Sequence, residues 1–132
     1  MIEIKVESEG FNRTYDVTEQ INQALTRIKK RNGIAKICVA GSTVGLSVMR
    51  YEPGTAKDML NSLEIVAPKD KEYEHLLTTS DNNGFAHVRS SFMGTSVLVP
   101  YKDNMVTLSN KHRIILFDFD LQTANRTIYV DV

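Results

Sequence analysis

Apolar and polar residues alternate from the first positions of the chain. Ile2, Ile4 and Val6 are separated by Glu3 and Lys5, a period of two that predicts a strand over residues 2–6. After Glu9-Gly10, Phe11 to Val17 reads as a weaker second strand. Asp16 with Glu19 three residues later forms a capping-box pattern. Ile21, Ala24, Leu25 and Ile28 then follow at helical spacing, and Lys29, Lys30 and Arg31 complement the negative end of a helix that Asn32-Gly33 stops. The spacing predicts a helix over 18–31. Ile34 to Ala40 is nearly all apolar, the pattern of a central strand covered on both faces. Gly41-Ser42-Thr43 interrupts it, and Val44 to Tyr51 continues as an extended stretch. Glu52-Pro53-Gly54 breaks the chain. Thr55 with Asp58 reads as a cap, Met59, Leu60 and Leu63 form an apolar stripe, and Pro68 ends a second helix over 55–66.

Residues 68–86 carry charges, Asn and Gly and predict a long loop with little regular structure, a length usually kept for function or mobility. His87 to Ser91 starts a short helix or turn. Val97 to Pro100, Met105 to Leu108, Arg113 to Asp120 and Arg126 to Val132 read as strands, with Lys102-Asp103-Asn104 as a hairpin turn. Ile114-Ile115-Leu116-Phe117 is a second continuous apolar run and a second central strand. With no repeat and no linker, the pattern is one α+β domain over residues 1–132: roughly seven strands and two or three helices, ordered ββα, ββα, then an antiparallel meander.

Composition narrows the function classes. Lys plus Arg and Asp plus Glu each number 16, a formal net charge of +0. That lacks the basic footprint of a nucleic-acid binder, and Lys29-Lys30-Arg31 is explained by its helix end and has no interleaved aromatics. A neutral chain suits burial of surface in an oligomer. No run approaches the ~20 apolar residues of a membrane span, and the alternating N-terminus is no signal peptide, so the cytoplasm is the expected compartment. The single cysteine, Cys38, excludes an internal disulfide and a multi-cysteine zinc site, and its strand predicts an inert core thiol.

The residues with chemical potential are dispersed. The histidines are His75, His87 and His112. His75 and His87 match no metalloprotease or zinc-finger spacing; they read either as exposed loop residues or as imidazoles that ligate or move protons near neutral pH. Ser42 and Thr43 offer an anion site or mark a bulge. Asn83, in Asn82-Asn83-Gly84, has turn chemistry first. Arg89 with Ser90, Ser91, Gly94 and Ser96 reads as a phosphate cradle or a solvated turn. Asp118 and Asp120 share a strand face and bind a cation or, more commonly, face water.

The string Tyr51-Glu52-Pro53-Gly54, Asp58, Pro68, Tyr73-Glu74-His75, Asp81 to Ser91, Gly94-Thr95-Ser96 and Val99-Pro100 resembles the YjbQ-like family, whose members are often labelled secondary thiamine-phosphate synthase enzymes. The resemblance spans nearly the whole chain, and the Asn-x-x-Ala-His stretch followed by Ser and Gly-x-Ser is its most specific part. It implies an α+β fold of two packed, mostly antiparallel sheets, and homotrimers around a threefold axis. It also implies a polar pocket near subunit contacts, lined by histidines and sometimes holding a metal or an anion. By position, His75 and His87 match two pocket histidines, Asn83 the motif Asn, Arg89 a basic position, Ser91 the following Ser, and Thr43 a Thr beside a strand-end histidine.

Two departures stand out. Many members have His-Thr-Thr-Ala where this chain has Gly41-Ser42-Thr43-Val44, and Gly-Thr-Trp-Gln where it has Ser109-Asn110-Lys111-His112. A three-histidine metal site therefore cannot form unchanged; Glu52 or a displaced His112 is the expected third ligand to a divalent metal, zinc or magnesium. The implied activity joins a pyrimidine diphosphate to a thiazole phosphate, with His75, His87 and Arg89 as the expected catalytic groups. Ser42, Thr43, Glu52, Asn83 and Ser91 are the expected ligand contacts, and a small phosphorylated molecule or anion the expected partner. The alternative expectation is a non-catalytic trimer that binds a metal or an anion.

Overall fold

A computed structural model describes residues 1–132. The chain runs β1 (Ile2–Ser8), β2 (Arg13–Asp16), α1 (Thr18–Leu25), β3 (Gly33–Ala40), β4 (Val44–Arg50) and α2 (Pro53–Val66). It continues with α3 (Glu74–Thr79), α4 (Gly84–Met93), β5 (Ser96–Lys102), β6 (Met105–Val106), β7 (His112–Asp118) and β8 (Ala124–Asp131). The strands form a five-stranded sheet, β1-β8-β3-β5-β6, and a three-stranded sheet, β2-β7-β4. Every pairing is antiparallel. The expected α+β class with two packed antiparallel sheets is the fold observed. No helix is long and apolar enough to cross a membrane.

β7 is the hinge of the architecture. It is the middle strand of the small sheet and Ile114 to Asp118 are all buried. Ile114 and Leu116 point into the core between the sheets, with Leu46, Ile37, Ile128 and Val130. Ile115 and Phe117, with Phe119 beyond the strand, point the other way, into a second core under α2 and α4 with Leu63, Phe85 and Ala86. A continuous apolar run is what a strand between two cores requires. α1 closes the inter-sheet core with Ile21, Ala24 and Leu25.

Several expected elements are corrected. The first helix stops at Leu25 rather than residue 31. Beyond it the Asn104 side-chain amide, held at φ 60 in the β5–β6 turn, donates to the carbonyls of Leu25 and Ile28 at 2.8 and 3.0 Å, which replaces a further helical turn. The second helix begins at Pro53, capped by Glu52 in place of the expected Thr55–Asp58 cap. The span expected as loop holds α3 and opens α4. β3 is covered on one face only: Ala35, Ile37 and Val39 are buried, while Ile34, Lys36, Cys38 and Ala40 face outward. Cys38 is thus an exposed thiol, not a core one. Leu98 of β5 lies beside Lys36 on this outer face and is 70% exposed.

Candidate functional site

The helical layer brings the two predicted histidines together. α4 lies on β4, and Ser90 ties it there by donating to the Val44 carbonyl at 2.6 Å. α3 meets the start of α4 at Gly84, where no side chain fits. A Cβ on residue 84 would stand 2.7 Å from Tyr73 Cβ and 3.2 Å from His75 Cβ. Glycine at this contact lets the Tyr73–His75 segment press against α4, and the His75 and His87 rings meet edge to face with centroids 4.7 Å apart.

The environment of each ring defines its free nitrogen. His87 Nδ1 lies 3.0 Å from the Ser42 carbonyl oxygen. A carbonyl only accepts, so the hydrogen bond places a proton on Nδ1, and in the neutral ring Nε2 keeps its lone pair. His75 Nε2 is buried with no hydrogen-bond partner. Asp81 Oδ2 stands 4.0 Å away, too far to satisfy it. The Asn83 side-chain oxygen, at the start of α4, is also buried and unpartnered. Around the pair opens a cavity of about 570 Å³ lined by Ser42, Lys71, Glu72, Tyr73, Glu74, His75, His87 and Val88. Burial pushes the Tyr73 phenol above its ordinary value, with the nearby Arg89 charge opposing, and the neutral hydroxyl donates to the Pro68 carbonyl at 2.6 Å. Of these lining residues, Lys71 and Glu72 went unmarked in sequence; the Tyr73-Glu74-His75 and Asp81 to Ser91 strings signalled this wall.

The other expected site residues lie elsewhere. Arg89 is completely buried. Its guanidinium pairs with Glu64, donates from Nε to the Ala67 carbonyl at 3.0 Å, and packs over the Phe85 and Phe11 rings at 5.2 and 5.8 Å. It fastens α4 to the end of α2 and lines no wall of the cavity, and its Nη1 is buried without a partner. Glu52 accepts from the backbone N–H groups of Gly54 and Thr55 at 2.8 and 2.7 Å, bonds that lower its carboxyl below the ordinary value and occupy both oxygens. Ser91 donates to the His87 carbonyl one helical turn back at 3.0 Å. His112 lines a different cavity, of about 550 Å³, with Tyr51, Asp16 and Arg113.

Thr43 belongs to a buried polar network. Its hydroxyl donates to Asp120 at 2.9 Å and accepts from Arg126 at 3.3 Å. Arg126 grips Asp118 bidentately at 2.8 and 3.0 Å. Burial works against the Arg126 charge, but the hydrogen bonds and charge of Asp118 outweigh it and raise the guanidinium value. Asp118 therefore faces neither water nor a metal ion; it is wholly buried and paired with the Arg126 guanidinium.

The donors do not fit a metal ion within one chain. No three His, Cys, Asp or Glu side chains converge to hold one. Of the two expected third ligands, Glu52 is engaged as the α2 cap and His112 lines another cavity, and zinc normally takes three protein ligands. Gly41, the position at which the resemblance implies a histidine, is closely approached: a Cβ there would meet Val44 Cγ2 at 2.8 Å.

The comparisons agree with this fold. The family model described as UPF0047 protein YjbQ-like matches residues 2–132. A UPF0047 protein of Archaeoglobus fulgidus is 28% identical over 113 residues, covering 86% of each chain. One from Methanocaldococcus jannaschii is 31% identical over 118 residues, covering 89% of this chain and 82% of its own. The crystal structure of an uncharacterised YjbQ/UPF0047 protein from Clostridium acetobutylicum superposes with a TM-score of 0.88 at 23% identity, covering 99% of this chain and 98% of that one, and so shares the fold.

Proposed function

The chain belongs to the UPF0047 protein YjbQ-like family, and from that premise we propose that it is a homotrimer whose His75–His87 cleft binds a small phosphorylated molecule. One observation carries the reading: imidazoles twelve residues apart in sequence meet at 4.7 Å on a cavity, and the buried Nε2 of one has no partner inside the chain. Buried polar atoms are nearly always satisfied, so an orphan beside a cavity marks the place of a ligand atom. A monoprotonated phosphate suits it, because one of its oxygens can partner His75 Nε2 while its hydroxyl proton goes to the His87 Nε2 lone pair. Lys71 adds a cation at the rim, and Glu72 and Glu74 oppose a heavily charged guest. With Arg89 withdrawn into the core, this balance favours a phosphate monoester over a diphosphate. It supports binding, with the imidazole pair as proton carriers, over expulsion of pyrophosphate, which needs clustered cations.

The trimer reading is supported by the outer face of the large sheet. There Ile34, Leu98 and Cys38 stand exposed around the Lys36–Asp131 pair, with the Lys5–Glu3 pair farther out on β1, and these pairs offer both signs of charge to a second copy.

Calorimetric titration of the purified protein with inorganic phosphate and thiamine phosphate tests the site. Saturable binding weakened at least tenfold, or ~1.4 kcal/mol, by His75→Ala and by His87→Ala is the expected result. No heat in either titration sinks the reading. A coupling assay with the pyrimidine diphosphate and thiazole phosphate is expected to give no product above background. Metal analysis is expected to find less than one ion per chain. Light scattering is expected to give three times 14.9 kDa.

A further inference from the structure

We infer that the buried Arg126–Asp118–Asp120–Thr43 network is a positioning device for His87, fixing its proton on Nδ1 so that Nε2 faces the cleft as a lone pair. Its functional weight rests on the cleft reading above; the tautomer itself does not.

The path runs through one peptide plane. The Ser42 carbonyl and the Thr43 N–H belong to one rigid unit that ends at Thr43 Cα, so holding Thr43 anchors that end and limits the directions open to the Ser42 oxygen. Thr43 is held from both ends. Its carbonyl accepts from the Phe119 N–H at 3.0 Å, and its hydroxyl is caught between Asp120 and Arg126 at 2.9 and 3.3 Å. Arg126 is held in turn by the bidentate grip of Asp118, which also accepts from the Asp120 N–H at 3.0 Å. The plane anchored at Thr43 presents the Ser42 oxygen to His87 Nδ1 at 3.0 Å.

Two facts separate this from ordinary core stapling. Ser42 itself is exposed, in the bend between β3 and β4. A network that only stabilised the sheets would have no reason to terminate on the residue adjoining the imidazole's sole hydrogen-bond partner. An imidazole left to water exchanges its proton between nitrogens; a fixed carbonyl decides the matter.

The test is long-range ¹⁵N–¹H correlation of the His87 ring in the ligand-free, full-length protein at about pH 8.5, above the imidazole range. Wild type is expected in the Nδ1–H form. Thr43→Val keeps the side-chain shape and removes the hydroxyl; the tautomer ratio is expected to move about fivefold toward Nε2–H, the worth of one net hydrogen bond. Thr43→Ser restores the hydroxyl and is expected to restore the ratio. An Nε2–H ring in wild type, or an unchanged ratio in folded Thr43→Val, overturns the inference. Should Thr43→Val not fold, Asp120→Ala at a partly exposed position is expected to shift the ratio in the same direction, and no shift there overturns it equally. The phosphate titration is read separately, so a correct tautomer without phosphate binding rejects the cleft reading and leaves this one standing.

Discussion

Replacing Arg89 by alanine separates its structural role from the ligand role its sequence context invites. The side chain is wholly buried, and truncation removes three things at once: the bond to the Ala67 carbonyl, the pair with Glu64, and the packing over Phe11 and Phe85. Breaking a buried ion pair costs about 3–5 kcal/mol because a charge is left stranded. Here the stranded partner, Glu64, is 50% exposed and rehydrates, which places the loss near the lower end, ~3 kcal/mol. In a chain of this length that lowers the melting temperature by roughly 10 °C. Arg89→Met keeps the apolar stem and leaves the Ala67 carbonyl unpaired, an expected loss of ~1–2 kcal/mol. Urea unfolding followed by circular dichroism, at one protein concentration for all variants, reads these differences. Phosphate affinity of the folded variants is expected to stay within about twofold of wild type, since no Arg89 atom reaches the cleft. A loss below ~1 kcal/mol in Arg89→Ala, together with abolished phosphate binding, would refute the reasoning and return Arg89 to the ligand.

Other outcomes follow from the same geometry. Gly84→Ala places a methyl group 2.7 Å from Tyr73 Cβ; the expected result is a loss of ~1–3 kcal/mol and fewer nuclear Overhauser contacts between the His75 and His87 rings. Burial acts to raise the Asp16 carboxyl, but hydrogen bonds from Thr18 and Arg113 outweigh it and hold the group below its ordinary value. A depressed carboxyl stabilises the fold above its unfolded value of about 4 and loses that contribution as pH falls through the folded value. Asp16→Asn is therefore expected to cost under ~1 kcal/mol at neutral pH and to converge with wild type as pH falls below the folded value, as read from paired urea melts. Cys38, exposed in the single chain, is expected to react slowly with a thiol reagent if the proposed trimer covers it, and rapidly on dissociation by dilution. Glu52→Ala is expected to lower the melting temperature while leaving phosphate affinity unchanged, because its carboxylate only caps α2.

Elements whose physics is local were legible in sequence. The period-two opening is β1, the apolar run at Ile114 is the doubly covered β7, and Pro68 follows the end of α2. What escaped depends on distant partners. The apolar period continuing to Ile28 promised more helix, yet a side-chain amide from residue 104 claims those carbonyls. α3 has six residues and buries none, so it offers no amphipathic signal. Arg89 carries the same formal charge on a surface or in a core, and only its packing over Phe85 tells which. Convergence of His75 and His87 came from resemblance; the small residue that permits it, Gly84, read only as turn chemistry.

With β7 acting as a party wall, the histidine-bearing helices rest on a separate and much smaller apolar foundation than the sheets do. The roof can lift without disturbing the house. Amides in α3 and α4 should exchange with deuterated solvent well before those of β3 and β8, and a guest that settles between the imidazoles should slow that breathing first.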